Sequence, residues 1–401
     1  MSNGFFSGRV LRNTGYLGLA EVLCKALGLM ITVVAARNLG SGGFGLFSLV
    51  LSSATIFAVL SDFGFETTII RDVAAHRGDL AKYFGNVLSL KAVLSIAVLL
   101  LAAIYGFIMP TGGGYLVAIA CVFLVLWSFT TAYTAVATGR EEMWLEALSR
   151  VLLRFIILAV ALFQHSVLGF FLAHVAGSAV VFAVVATVVH YRFVRSSLRW
   201  DAPLVRSITS SSSQFFLVSA LSTAYLRIDT VILAYFRGYE ATGIYGAASF
   251  LVQAIFVAPA LYSKAWFPRL SDSSVTKRSV FYSCALMFLA GASIAFVLAL
   301  FAQDIVGIVY GREFAGSASL LAILGLSLPA VFANTYMISA LYGLRRQKSV
   351  ILVTGFALIM NIALNIAFVP AYSAYACAIA AIVGQYAVFL AYLILLFVKG
   401  M

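Results

Sequence analysis

The chain has 401 residues, of which 63% are hydrophobic and 10% charged, whereas soluble domains carry about 25% charged residues. That excludes an ordinary soluble fold. The formal charge of +12 would point to nucleic acid in a soluble protein, but in a membrane chain its placement reports topology first.

Apolar runs of roughly 20 residues, enough to cross a bilayer as helix, recur along the chain. They are too long and too uniformly apolar for the roughly 10-residue alternating strands of a transmembrane barrel. The first predicted span covers about 14–36. No small-residue cleavage site closes a short apolar core there, so it is expected to be retained and not removed as a signal peptide. Five more follow near 42–66, 83–108, 115–138, 144–163 and 167–190. Pro110 and Gly112 to Gly114 make a tight turn between two of them. This glycine run lacks the Lys and Ser or Thr of a nucleotide-binding loop.

The longest polar stretch, about 191–212, contains Arg192, Arg195, Arg199, Trp200, Asp201, Pro203 and Arg206. It reads as a linker, either pressed on anionic headgroups or solvated as a positive loop. The second half gives spans near 213–236, 242–266, 279–303, 316–342, 348–369 and 373–398. Pro259 and Pro329 fall inside apolar runs, where each deletes a backbone hydrogen bond and is expected to bend its helix.

A short phrase is repeated. Gly40 and Gly45 are followed by Leu46 and Phe47, and 198 residues later Gly238 and Gly243 are followed by Ile244 and Tyr245. The same offset carries Glu66 onto Lys264 and Arg71 onto Arg269. Repetition over this distance predicts two homologous six-helix halves, 1–200 and 201–401, each keeping one orientation. The fold class is therefore all-α, a polytopic membrane protein of twelve helices in two bundles around a central cavity.

Basic residues follow the alternation that twelve spans require. One side collects Arg9, Arg12, Arg71, Arg77, Lys82, Arg140, Arg192, Arg195, Arg199, Arg206, Arg269, Lys277, Arg278, Arg345, Arg346, Lys348 and Lys399. The other has Arg37, Arg237 and Arg312. The excess places both termini in the cytoplasm.

Ionisable groups within membrane helices are costly, and each is a functional candidate. Glu21 and Lys25 stand four apart on the first span and share a face, as a structural pair or as part of a cavity. Arg227 and Asp229, two apart, cannot face each other, so each needs another partner or water. Arg227 reads as a cavity cation. Glu66 and Lys264 bear opposite charge at repeat-related positions; they either latch a cleft or snorkel separately to the headgroups. Lys91, Arg150 and Arg154 lie near helix ends, where they anchor topology or, for the two arginines on one face, meet a phosphate. Asn361 and Asn365, one turn apart, are expected to hydrogen-bond between helices more than to a sugar.

Enzyme signatures are missing. His76, His165, His174 and His190 lack metal-ligand spacing, and no serine or cysteine sits in a nucleophile motif. Cys24, Cys121, Cys284 and Cys377 fall in apolar runs and read as small buried hydrophobes. Without a nucleotide motif, energy would come from a sodium or proton gradient, the membrane potential or the cargo gradient.

The run ARNLGSGGFGLFSL from Ala36 resembles the first-helix signature of bacterial polysaccharide flippases of the multidrug, oligosaccharidyl-lipid and polysaccharide exporter superfamily. SDFGFETTIIRDVA from Ser61, RIDTVILAYFRGYEATGIYGAA from Arg227 and FPRLSD from Phe267 agree with it. The resemblance implies two six-helix bundles, alternating access, no cofactor and residence in the bacterial inner membrane. The implied cargo is a polyprenyl-diphosphate-linked oligosaccharide for O-antigen, capsule or exopolysaccharide assembly, with glycosyltransferases and a glycan polymerase as pathway partners and no nucleic acid. On that likeness Arg227 and Asp229 match the helix 7 pattern and Lys25 is a cavity cation opposite them; Glu21, Arg150 and Arg154 complete the expected cavity, with Glu66 and Lys264 as gate.

Three other readings stay open. A drug or metabolite exporter of the same superfamily would use Glu21 or Asp229 as a deep coupling carboxylate. A membrane glycan polymerase or glycosyltransferase would need a large external loop, which the sequence lacks. A scaffold for assembly enzymes leaves the buried charges unexplained.

Overall fold

In hydrocarbon, where water cannot satisfy the backbone, a helix can place every N–H and C=O on its own chain. The computed structural model describes residues 8–75, 79–108, 113–195, 197–270, 277–344 and 346–398, and among the described residues the regular structure is helical. His76, Arg77, Pro110, Gly112, Arg345 and Lys399 lie outside the described residues, as do the side chains of Arg9, Lys264, Phe267, Arg269 and Lys277.

The helices are α1 (Gly8–Asp62), α2 (Phe65–Ala74), α3 (Leu80–Ile108), α4 (Gly114–Gly139), α5 (Trp144–Ala161), α6 (Val167–Arg192), α7 (Ala202–Ile255), α8 (Val257–Leu270), α9 (Lys277–Val309), α10 (Gly316–Gly325), α11 (Leu328–Gly343), α12 (Gln347–Tyr372) and α13 (Ala374–Leu393). Both α1 and α7 are two helices joined at a kink. The kink residue is Gly40 in α1 (φ 68°, ψ 178°) and Gly238 in α7 (φ 78°, ψ −173°). Only glycine occupies that region without strain, because a Cβ would collide with its own backbone. The repeated phrase therefore opens on glycine for the same backbone reason in both halves.

Counting each kinked helix as two spans and the bent pair α10–α11 as one, twelve spans are traced among the described residues. The fifth, α5, carries Glu146, Arg150 and Arg154 within 18 residues and is not apolar enough to count as a span by composition alone. The expected bends are found. α10 and α11 meet at 45°, with Pro329 in the first turn of α11. α7 gives way to α8 at Phe256, three residues before Pro259, which has no N–H for an Ile255 carbonyl. A further break at Phe63 (φ 48°) and Gly64 (φ 72°) separates α2 from α1, so Glu66 lies on a helix of its own past the end of the second span.

By compactness the chain divides into a first unit of Met1–Val34 with Val50–Thr223 and a second of Ala35–Leu49 with Ala224–Met401. This grouping crosses the boundary near residue 200 that the sequence repeat leads one to expect. The turn bearing the first copy of the phrase packs with the second unit, and the start of α7 packs with the first. Core residues of the first unit include Phe65, Ile69, Phe84, Val136, Ile157 and Val185.

The linker is folded against the first unit through part of its length, while Arg192, Arg195, Arg199, Trp200 and Arg206 stay exposed. α7 already begins at Ala202, and Val194, Val205 and Ile208 are buried in the core, each aliphatic side chain contributing about 1.5–3 kcal/mol. The Asp201 amide donates to Asn86 Oδ1 at 2.6 Å, and Lys82 Nζ meets Asp201 Oδ2 at 2.6 Å. The Lys82 ammonium, with a further hydrogen bond from the Leu204 amide, holds the Asp201 carboxyl below its ordinary value.

Candidate functional site

Two groups of ionisable side chains stand out, one in each unit. In the first unit, Arg150 on α5 reaches across to α1 and pairs with Glu21 at 2.8 Å; its other nitrogen is 3.8 Å from Glu146, one turn earlier. Thr138 Oγ1 donates to the second oxygen of Glu146 at 2.9 Å. A chain of charge thus runs from α1 through α5 to the end of α4. Glu66 lies among the charges of Asp62, Glu146, Lys91 and Arg150. The cluster gathers residues from sequence positions as far apart as 21 and 150.

This arrangement corrects the Glu21–Lys25 pairing. Helical spacing permits it, but a guanidinium offers a carboxylate more donors in a fixed fork than a flexible ammonium does. Lys25 is instead exposed on α1. Arg154, one turn beyond Arg150, is half-buried and has no carboxylate in ion-pair contact among the described residues.

Lys91 is corrected too. It does not anchor the helix end in headgroups; its side chain is 0% exposed. Its ammonium sits 3.4 Å from Asp62 Oδ1, 3.2 Å from the Ser61 carbonyl and 5.5 Å from the centre of the Phe65 ring. Removing an ammonium from water costs several kcal/mol, which the carboxylate, carbonyl and ring face offset together. The break after Asp62 supplies this partner set, since it frees the Ser61 carbonyl from the helical ladder.

In the second unit, Arg227 and Asp229 on α7 find separate partners, as their spacing demands. The Arg227 guanidinium lies over the Phe250 ring, 5.8 Å from its centre, and has no carboxylate in ion-pair contact among the described residues. Asp229 is 7% exposed. It accepts from the Tyr245 hydroxyl, from the Thr230 amide at 2.6 Å and from Thr230 Oγ1 at 3.3 Å. Tyr245 is the aromatic residue of the second phrase, whereas the first copy has Phe47 at that place. One hydroxyl between the repeats equips only the second half to hold a carboxylate. That difference was visible in the sequence; its meaning was not, because Asp229 and Tyr245 lie on either side of the Gly238 kink.

Asp229 and Tyr245 open on a small cavity of about 60 Å³, whose other polar lining includes Tyr225, Gln253, Asn361 and Gln385. That is room for a few waters, not for a sugar. The Tyr225 hydroxyl is buried there without a hydrogen-bond partner among the described residues. Asn361 and Asn365 bond along one helix and not between two: Asn365 Nδ2 donates to the Asn361 carbonyl at 2.8 Å and to its Oδ1 at 3.0 Å.

Within the second unit the two copies of the phrase touch each other. A Cβ built on Gly45 would stand 1.7 Å from the Tyr239 carbonyl oxygen, and one on Gly243 would stand 1.9 Å from the Ser41 carbonyl oxygen. Only hydrogen fits at either point. Ser41 N donates to Glu313 Oε1 at 2.6 Å and Arg37 Nε to the Val309 carbonyl at 2.9 Å, fixing the first turn on the α9–α10 connection. The recurrent glycine spacing is thus a device of mutual close approach, with Phe44 packed against Phe47, Phe250, Tyr310 and Phe314 beside it.

Of the histidines, His174 has a structural role, while His165 and His190 are exposed. His174 is buried, its Nδ1 2.7 Å from the Phe170 carbonyl and its ring against Phe123. The four cysteines are free.

Residues 10–274 match the family model described as "Polysaccharide biosynthesis protein". The chain is 23% identical over 368 residues to a putative O-antigen transporter of Escherichia coli strain K12, covering 85% of this chain and 86% of that protein. Among solved structures it is similar to the lipid II flippase MurJ in an inward closed conformation, with TM-score 0.78 and 13% identity over 95% of this chain and 87% of the other. It is also similar to the MATE multidrug transporter DinF-BH, with TM-score 0.72 and 14% identity over 100% of this chain and 97% of the other. The backbone likeness is to transporters and flippases, consistent with the motifs quoted from Ala36, Ser61 and Arg227.

Proposed function

The chain belongs to the polysaccharide biosynthesis protein family, and from that membership we propose that it flips a polyprenyl-diphosphate-linked oligosaccharide across the bacterial inner membrane. It is a multi-pass membrane transporter and not an enzyme, as its family and fold relatives are. The finer reading adds both termini in the cytoplasm, cargo for O-antigen, capsule or exopolysaccharide assembly, and alternating access of two repeats, 1–200 and 201–401.

The observation that carries the cargo assignment is the pair of cations Arg154 and Arg227. Arg154 on α5 and Arg227 on the apolar span of α7 each have no carboxylate in contact among the described residues. A lone guanidinium in hydrocarbon is costly, and a planar five-donor fork suits a diphosphate. Glu21, Glu146 and Arg150 hold one another and give the first unit a polar path for hydroxyls. Moving a sugar headgroup through lipid without such groups would strip many hydroxyls and an anion of water, each at several kcal/mol.

The test is Arg227→Ala in cells and in reconstituted vesicles. Loss of one charge-assisted contact is worth about 1.5–3 kcal/mol, so cargo affinity falls roughly 10- to 150-fold and surface glycan disappears while protein abundance is unchanged. Normal glycan in that variant removes Arg227 from the site. The exporter reading is favoured by one feature, a carboxylate deep in one unit beside a cavity of about 60 Å³, too small for sugar. Dye efflux by the reconstituted protein, with no flipping of lipid-linked sugar, would decide for it.

A further inference from the structure

At the end of the first unit that carries the start of α1, three separate segments meet around a basin of about 340 Å³. Arg12 comes from α1, Arg140 from the α4–α5 turn and Arg192 from the last turn of α6. Glu141 and Glu142 share the wall, but they do not neutralise it. Glu142 gives one oxygen to Arg192 Nη2 at 3.0 Å and the other to Trp144 Nε1 at 3.0 Å. Arg12 and Arg140 have no carboxylate in ion-pair contact among the described residues. The guanidinium carbons of Arg140 and Arg192 both lie against the Phe193 ring, 5.8 Å and 5.6 Å from its centre. Two guanidinium groups are therefore held on one aromatic ring, Arg192 paired with Glu142 and Arg140 with no carboxylate in ion-pair contact among the described residues, which leaves Arg140 to receive an anion.

The turn that presents these groups is firmly built. Glu141 occupies φ 64°, outside the usual range for a residue with a side chain. Its carbonyl accepts from the buried Asn13 amide at 2.7 Å, and its own amide donates to the Thr138 carbonyl at 2.9 Å. The Arg140 and Glu142 amides both donate to the Ala137 carbonyl, at 3.0 Å and 2.9 Å. The start of α1 is thereby stapled to the turn, and Arg12 is brought beside Arg140 by that staple. Tyr16 and Trp144 complete the wall, and such rings settle at headgroup level because one face is apolar and one edge polar.

We propose that this basin binds the phosphate of an anionic phospholipid headgroup, at a site apart from the cargo residues Arg150, Arg154 and Arg227. Guanidinium forks match phosphate oxygens in pairs, the basin lies at the ends of α1, α4 and α6, and its volume admits a phosphate with its esterified neighbours. The same chemistry would accept a soluble phosphate, so two probes separate the sources.

The purified full chain in neutral detergent is titrated with phosphatidylglycerol and read by native mass spectrometry, with phosphatidylcholine as the uncharged comparison. Arg12→Gln with Arg140→Gln weakens phosphatidylglycerol retention about tenfold and leaves phosphatidylcholine retention unchanged. Glu142→Gln, which releases Arg192 from its carboxylate, tightens it, an outcome no purely structural role produces. Sodium pyrophosphate that binds in the same Arg-dependent way while phosphatidylglycerol does not would move the site to soluble phosphates and overturn the lipid assignment. Equal phosphatidylglycerol binding by wild type and the double variant overturns the site. If the double variant fails to fold, the Glu142→Gln titration decides, and unchanged or weaker binding sinks the proposal. Because none of these residues is in the proposed cargo set, failure here leaves the flipping assignment to its own test at Arg227.

Discussion

Replacing Asp62 by Asn removes the carboxylate that faces Lys91 and leaves the lysine where it is. The ammonium is 0% exposed and Asp62 is 32% exposed, so the two partners do not lose equally when separated. An abandoned buried charge costs about 3–5 kcal/mol. Asp62, one-third open to water, regains hydration when Lys91 is replaced by Met, so that change costs only about 1 kcal/mol. The double variant has neither charge and is expected within about 1 kcal/mol of wild type, since a well-packed apolar pair often equals a buried ion pair. For a chain of this size about 2 °C in Tm accompanies each kcal/mol, so Asp62→Asn lowers Tm by about 6–10 °C and the double variant restores most of it. The assay is thermal unfolding in detergent followed by far-ultraviolet circular dichroism. Lys91→Met proving worse than Asp62→Asn, or the two effects simply adding, would refute the reasoning that Asp62 exists to hold Lys91.

Two further outcomes are expected. Gly45→Ala must move the Tyr239 carbonyl from 1.7 Å to at least the 3.4 Å of ordinary contact, so it and Gly243→Ala each cost about 1–3 kcal/mol of overpacking and abolish surface glycan; Gly42→Ala, with nothing within 4 Å of its new Cβ, is the silent control, and normal glycan in Gly45→Ala would mean the crossing is dispensable. The Lys82–Asp201 contact makes the start of α7 sensitive to acid. Because Asp201 is held below its ordinary value, the stability it lends is complete above that ordinary value and is lost as pH falls through the lowered one. Amide protection over 201–206, taken relative to the intrinsic exchange rate at each pH, should therefore fall on acidification in wild type and be flat across that range in Asp201→Asn; identical protection profiles would show that the contact does not clamp the linker.

Much of the scaffold was legible in one dimension. Span lengths follow from bilayer thickness, so the apolar runs gave the twelve helices. Gly40 and Gly238 announced themselves through the repeat, and the prolines at 259 and 329 mark breaks because a missing N–H acts locally. The spacing of Arg227 and Asp229 correctly forbade a bond between them. These are properties of a residue and its near neighbours along the chain.

Partnership was different. Glu21 had two stereochemically acceptable cations, and the rotation of α5 against α1 selected Arg150. Lys91 looked like an interfacial anchor until the break after Asp62 folded a carboxylate, a carbonyl and a ring around it. Nothing along the chain says that Gly45 meets Gly243, or that Tyr245 turns its hydroxyl to Asp229. Sequence by itself determined where this chain crosses the membrane and where its backbone bends, because transfer energy and backbone sterics act residue by residue. Only the tertiary structure decided which charge answers which, because that depends on the rotation and crossing of helices and on the breaks between them, whether the partners are 16 residues apart, as Asp229 and Tyr245 are, or 129, as Glu21 and Arg150 are.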